Sequence, residues 1–371
     1  MTSTLTVQLH KQFGQARDAF SLDLEFHAAP GFTILFGSSG AGKTSILDCV
    51  SGLLLPDAGH VAIDDWVLFD TSTSVNVPTA KRQIGYVFQD LALFPHLTVW
   101  ENIEYGLSHL LRGQRRDRCA SILDAFRVSG LGTRKISEVS GGERQRVALA
   151  RTLVTDPAVL LLDEPLAALD AATKAKIISD LRSWNAAHGI PILYVTHSRE
   201  EVFALGERVV AIEAGRIVSQ GTPHEVLDAP RQETIAQLAG FENIFDATVE
   251  STNPDRGTMT CKLFAEGQNS VTFETPLIRA EVGTQLRVGI YAGDILLAIV
   301  PPVGLSARNV IEGNIVSLEQ RDVVVSARVN CGVEMEVHFT LAARDALQLA
   351  SGRQVWLVIK THSCRLMQRQ M

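Results

Sequence analysis

Apolar and polar positions follow distinct textures along the chain. Up to about residue 90, short apolar runs alternate with glycine-rich turns, which predicts strands and one helix. Thr33–Phe36 is one such run, and Ser45–Leu54 has helical spacing. From about 91 to 135 the spacing is helical, with a basic stretch from Arg112 to Arg118. From about 136 to 235 strand and helix alternate: Val159–Asp163, a helix near Thr173–His188, Pro191–Thr196, then Val209–Glu213. Such alternation predicts a parallel sheet with crossover helices.

Past Gly240–Asn243 the texture becomes all-β. Val333, Met335, Val337 and Phe339 alternate with Glu334, Glu336 and His338, a period of two. Asn330-Cys331-Gly332 offers a turn before that strand, Leu341–Leu349 reads as a short helix, and Gln354–Lys360 as a closing strand. The expected organisation is an α/β domain at 1–240, a β segment at 241–301, and a small barrel of OB type at 302–367. No strict internal repeat is visible.

Composition narrows the function classes. The 371 residues are 46% hydrophobic and 20% charged, enough apolar material for sizeable cores. A formal charge of −7 argues against broad nucleic-acid binding, so no nucleic-acid partner is expected. Met1–His10 lacks the basic-plus-apolar pattern of a signal segment. No apolar run approaches the roughly 18–20 residues that span a bilayer, so a membrane role would run through a partner. The five cysteines are scattered and form no Cys-x-x-Cys, which argues against a disulfide framework or zinc site and fits a reducing cytoplasm.

Three motifs carry chemistry. Gly37-Ser38-Ser39-Gly40-Ala41-Gly42-Lys43-Thr44 fits G-x-x-x-x-G-K-[ST] between an apolar strand and a helical pattern. Its backbone N–H groups can converge on phosphate oxygens at a helix N-terminus. Lys43 can reach the β/γ-phosphates, and the Thr44 hydroxyl can hold Mg²⁺. Ala158–Pro165 is an apolar strand ending in Asp163-Glu164. Asp163 can hold Mg²⁺ through water and Glu164 can polarise the attacking water; alone, the pair would as readily cap a helix. Val139-Ser140-Gly141-Gly142-Glu143 opens another helix as a second anion-ready N-terminus. One nucleotide does not need two cradles. A homodimer whose subunits each contribute half of each site does.

In this order the motifs resemble the ATP-binding cassette (ABC) family over residues 1 to about 240. The resemblance implies an α/β P-loop ATPase with a helical subdomain at about 91–150, using ATP and Mg²⁺. The usual signature is Leu-Ser-Gly-Gly-Gln, and this chain has Val139 and Glu143 at the outer positions, leaving the contact of residue 143 open. The resemblance makes Glu164, His197 and Lys43 catalytic. Gln89 matches the Q-loop glutamine, a metal and nucleotide contact that links to a transmembrane partner. Asp170 matches the D-loop, and His197 the switch histidine. Phe13 matches the aromatic that stacks on adenine, with Phe20 as the rival. Leu93–Asn102 is read as the surface that meets a permease.

Ser306-Ala-Arg308-Asn309 and Lys360-Thr-His-Ser363 together resemble the molbindin-type oxyanion domain found at the C-terminus of molybdate-import ATPases. The resemblance makes Ser306, Arg308, Lys360 and Ser363 candidate oxyanion ligands. It implies a peripheral ATPase on the cytoplasmic face of the cell membrane, with permease subunits and an external molybdate-binding protein. Sulfate and tungstate stay open as substrates. A soluble cassette ATPase working on DNA or ribosomes is the remoter alternative, and a pure anion-storage module conflicts with the intact Lys43, Asp163, Glu164 and His197.

Overall fold

The computed structural model describes residues 3–14, 20–228, 233–263, 271–321 and 323–368. The chain forms two compact units, Met1–Pro223 and His224–Met371. Residues 224–240 therefore go with the second unit.

The first unit opens with β1 (Leu5–Phe13), β2 (Phe20–Ala28) and β3 (Gly31–Phe36), then α1 (Lys43–Ser51). β4 (Ala58–Ile63), β5 (Trp66–Asp70), β6 (Val75–Asn76) and β7 (Ile84–Val87) follow. A helical stretch holds α2 (Val99–Glu104), α3 (Arg112–Ala125) and α4 (Gly141–Leu153). The chain then runs β8 (Val159–Asp163), α5 (Ala171–His188), β9 (Pro191–Thr196), α6 (Arg199–Leu205), β10 (Arg208–Glu213) and β11 (Arg216–Gly221).

These strands make an antiparallel sheet, β2-β1-β4-β5-β6, and a six-stranded sheet, β11-β10-β3-β9-β8-β7. In the second, only β11 runs antiparallel. Every residue of β8 and β9 is buried, because strands covered on both faces are apolar throughout rather than alternating. Leu5, Val7 and Leu9 of β1 share one core with Ile46 and Leu47 of α1, Leu161 and Val195. Helix α1 begins earlier than Ser45, because Lys43 and Thr44 already occupy its first turn. It ends at Gly52, whose φ of +82° suits glycine.

The second unit contains α7 (Glu233–Leu238) and then β12 (Asn243–Asn253), β13 (Thr258–Leu263), β14 (Thr272–Pro276), β15 (Gln285–Ile290) and β16 (Leu296–Ala298). β17 (Asn309–Arg321), β18 (Val324–Asn330), β19 (Glu334–Thr340), α8 (Leu341–Leu347), β20 (Gln354–Ile359) and β21 (Arg365–Gln368) complete it. Its sheets are β14-β13-β12-β15-β21 and β16-β20-β17-β18-β19. In each, the fourth strand returns beside the first, as in a Greek key. The fifth is exchanged: β16 follows β15 but pairs with β20, and β21 follows β20 but pairs with β15. Both sheets enclose one core that includes Ala247, Phe273, Val288, Val337 and Leu357.

Two buried asparagines repeat this relationship. Asn243 Nδ2 donates to Glu336 O at 2.8 Å, and Glu336 N donates to Asn243 Oδ1 at 2.7 Å. Asn309 Nδ2 donates to Glu274 O at 2.9 Å, and Glu274 N donates to Asn309 Oδ1 at 2.7 Å. Each opens the first strand of one sheet and satisfies the backbone of a strand in the other. The two sheets thus repeat one strand order, exchange their fifth strands and share a core.

Candidate functional site

The parallel strands β3, β7, β8 and β9 end along one edge, where doubly wound folds collect ligands. A cavity of about 610 Å³ lies there. Ser39, Gly40, Gly42, Lys43 and Thr44 line it from the loop after β3, Gln89 from beyond β7, Asp163 and Glu164 from β8, and His197 from beyond β9. Phe13 and Phe20 close one side, with ring centroids 5.6 Å apart. Both aromatic candidates therefore face the same cavity.

Glycine is needed in the loop where neighbours crowd it, at Gly37 and Gly42. Gly42 has φ +98°, and a Cβ there would lie 2.5 Å from Leu22 Cδ2 and 2.7 Å from Phe20 Cζ. A Cβ on Gly37 would lie 2.3 Å from Ile212 O. Ser38 O accepts from Ala41 N at 3.2 Å, folding the loop back on itself. Lys43 is buried, and its Nζ donates to Gly37 O at 2.9 Å and Ser38 O at 2.8 Å. Burial pulls the Lys43 pKa below its ordinary value, while Glu164 and Asp163 oppose that shift.

Asp163 is buried at the end of β8 and accepts a hydrogen bond from the Thr44 side chain. Burial raises its pKa, the Thr44 bond lowers it, and the Glu164 and Asp48 carboxylates raise it further. A hydroxyl beside one carboxylate is a hard oxygen set that suits Mg²⁺ completed by phosphate oxygens and water. Among the described residues no cluster of three or more His, Cys, Asp or Glu could hold a metal without such help.

Glu164 sits at φ +43°, a left-handed conformation unfavourable for a residue with a Cβ. Its N–H donates to Val195 O at 3.1 Å, which ties the turn to β9. Glu164 Oε1 lies 3.2 Å from His197 Nδ1.

Ser140, Gly141, Gly142 and Asp170 do not line this cavity. Ser140 caps α4 in a capping box: Ser140 N donates to Glu143 Oε2 at 2.7 Å and Glu143 N donates to Ser140 Oγ at 3.4 Å. That is the contact of residue 143. The Ser140 amide holds the Glu143 pKa below its ordinary value. A Cβ on Gly142 would lie 2.6 Å from Thr173 Cγ2. Asp170 caps α5, accepting from Thr173 N at 3.0 Å and Thr173 Oγ1 at 2.7 Å. Gly141, Gln145 and Leu169 line a neighbouring cleft of about 560 Å³ that also reaches Gln89 and Glu164.

In the second unit, Ser306, Lys360 and Ser363 line a cavity of about 380 Å³ together with His362, Arg365 and Asp294. Arg308 is exposed and does not line it. The structure thus brings three of the four oxyanion candidates together and supplies Arg365 where Arg308 was expected.

The ABC transporter family model matches residues 22–167, and the TOBE domain model matches residues 305–366. The molybdenum import ATP-binding protein ModC of Rhizobium meliloti (strain 1021) is 39% identical, over 92% of this chain and 95% of that protein. The protein of the same name from Haemophilus influenzae is 34% identical, over 97% and 99%. The chain belongs to the ABC transporter ATPases. A solved relative, the dimeric bacterial ABC transporter cassette MJ0796, aligns with a TM-score of 0.52 and 28% identity, covering 59% of this chain and 98% of that one. A post-hydrolysis state of that cassette bound to ADP and Pi is a further match, at a TM-score of 0.51. ATP is therefore the nucleotide of this cassette. No described helix is long and apolar enough to cross a membrane.

Several supporting residues of the ABC ATPase have no motif to announce them. Arg82, 1% exposed, donates to Val77 O, Cys49 O and Val50 O and to Asn76 Oδ1, closing the C-terminal carbonyls of α1. Glu201 is buried and accepts from Tyr194 Oη at 2.9 Å, Thr196 Oγ1 at 2.8 Å and Lys174 Nζ at 3.0 Å, fixing the strand end before His197. Asn102, 0% exposed, accepts from Phe94 N and donates to Phe94 O and Thr98 O, shaping the loop that carries Phe94. Leu93, Phe94 and Leu97 are half-buried.

Proposed function

We propose that the chain is the ATP-hydrolysing subunit of a molybdate importer, working on the cytoplasmic membrane face with a transmembrane permease. ATP hydrolysis rests on one observation: Lys43, Thr44, Gln89, Asp163, Glu164 and His197 converge on one cavity at the carboxyl edge of the parallel sheet. Molybdate is supported by likeness to molybdenum import ATP-binding proteins over both units of the chain.

The residues divide the work by chemistry. The loop amides from Gly37 to Thr44 and the N-terminus of α1 bind the β- and γ-phosphates. Lys43 Nζ leaves its own loop carbonyls to neutralise those phosphates. Thr44, Asp163 and Gln89 would hold Mg²⁺, which would neutralise charge on the phosphates. Phe13 or Phe20 stacks on adenine. Glu164 takes a proton from the attacking water, and His197 contacts the γ-phosphate and orients Glu164. The Ser140–Gly142 amides lie outside their own cavity, so a second copy of the chain supplies them, with Asp170 capping α5. The Leu93–Asn102 segment, with Leu93, Phe94 and Leu97 half-buried, faces the permease.

The test uses the purified chain with ATP and Mg²⁺. Lys43→Ala should abolish hydrolysis in a folded protein, since each lost charge-assisted hydrogen bond is worth about 1.5–3 kcal/mol. Hydrolysis at the wild-type rate would refute the site. For the second unit we propose oxyanion binding at Ser306, Lys360, Ser363 and Arg365, where cations and hydroxyls suit a tetrahedral dianion. Titration calorimetry of the full chain with molybdate, then sulfate, checks it, and loss of molybdate heat in Lys360→Ala is the expected result.

A further inference from the structure

Leu91 and Ala92 occupy left-handed backbone in succession, at φ +63° and +43°. Such backbone is unfavourable for residues with a Cβ and persists only where neighbours hold it. Locally, Leu91 N donates to Phe88 O at 2.9 Å and Ala92 N to Asp90 Oδ1 at 3.2 Å. The remaining hold comes from α4. Arg151 Nη1 donates to Ala92 O at 2.7 Å and Arg151 Nη2 to Leu91 O at 2.9 Å. The same guanidinium lies 5.5 Å from the centroid of the Phe94 ring, which packs 4.5 Å from Tyr105.

Only arginine can do all of this at once. Its planar fork gives two donors to adjacent carbonyls while its face covers an aromatic ring, and a lysine ammonium has neither plane nor fork. The gripped turn lies between Gln89, at the nucleotide cavity, and Phe94, on the partner-facing segment. The helix that carries Arg151 is 13 residues long and begins at the Ser140 cap.

We propose that Arg151 is a positioning residue that holds the Leu91–Ala92 turn, so that movement of α4 is passed to the Phe94 surface and from there to the transmembrane partner. The inference rests on the reading of Leu93–Asn102 as partner-facing.

Wild type, Arg151→Lys and Arg151→Ala are compared as full chains. Amide hydrogen exchange of the isolated chain reads the turn itself. The Leu91 and Phe94 amides should exchange about tenfold or more faster in Arg151→Ala and to an intermediate degree in Arg151→Lys, with the α1 amides unchanged. ATPase with and without the permease in vesicles reads the transmission. Permease stimulation should be lost in Arg151→Ala and partly kept in Arg151→Lys, while basal ATPase of the isolated chain is retained. Unchanged exchange in a folded Arg151→Ala overturns the hold, and faster exchange with full stimulation overturns the transmission. If wild type itself is not stimulated, the partner-facing reading falls, and the exchange comparison still decides the hold. Should Arg151→Ala not fold, Arg151→Lys decides both arms: full protection and full stimulation would overturn the proposal.

Discussion

Glu164 Oε1 and His197 Nδ1 stand 3.2 Å apart at the ends of adjacent strands, although 33 positions separate them in sequence. The strained Glu164 turn and the Glu201 support beneath β9 aim both side chains into one cavity. Glu164→Gln keeps the shape and the histidine contact but removes the base. Hydrolysis should fall by about 10²–10⁴-fold, the usual contribution of general base catalysis. Bound ATP should then hold two chains together on size exclusion. A monomer turning over ATP at the wild-type rate would contradict the assignment.

Ser140 caps its own helix but does not line its own nucleotide cavity. Ser140→Arg should therefore leave ATP binding to the single chain intact and stop hydrolysis, by obstructing the second copy's γ-phosphate. Equilibrium binding and turnover measured on the same preparation check this, and normal turnover would rule out the shared site.

Glu143 stands where the family signature has glutamine, and its carboxylate accepts the Ser140 amide. Because its folded pKa is depressed below 4.5, its charge contributes stability above the unfolded value, and that contribution is lost as pH falls through the folded value. Glu143→Gln keeps the cap and removes the charge. At pH 7 it should be less stable by only ~0.3 kcal/mol, given solvent screening at a helix N-terminus. The difference should vanish below the depressed pKa. Denaturant melts of both proteins across that range provide the comparison.

Asn309 joins two sheets through paired hydrogen bonds to the backbone of Glu274. Asn309→Ala leaves a buried N–H and C=O without partners, which should destabilise the second unit by about 2–4 kcal/mol. Thermal unfolding followed by calorimetry should show a lowered transition for that unit.

Most of the lining of the candidate nucleotide cavity could be read from the chain because its parts are local. The loop from Gly37 to Thr44 and the Asp163-Glu164 strand end each lie within a few consecutive residues, and hydrophobic patterning placed the strands β8 and β9 at their observed bounds. Arg82 and Asn102 could not be found that way, since their partners are backbone carbonyls chosen by tertiary packing. The exchange of β16 and β21 is likewise non-local. β16 is a three-residue apolar run and β21 a four-residue strand with polar ends, and nothing in their own residues says which sheet each joins. The same limit explains Arg308: it lies two residues after Ser306 in sequence, yet it stays outside the cavity that Arg365 lines.

ATP hydrolysis in this chain drives oxyanion import, with molybdate as the substrate. The most direct measurement is ATPase of the chain reconstituted with its permease and external binding protein in vesicles, supplied in turn with molybdate, tungstate and sulfate. Molybdate should stimulate turnover, and Lys43→Ala should abolish that stimulation. Stimulation by sulfate alone, or equal turnover with no oxyanion present, would contradict it.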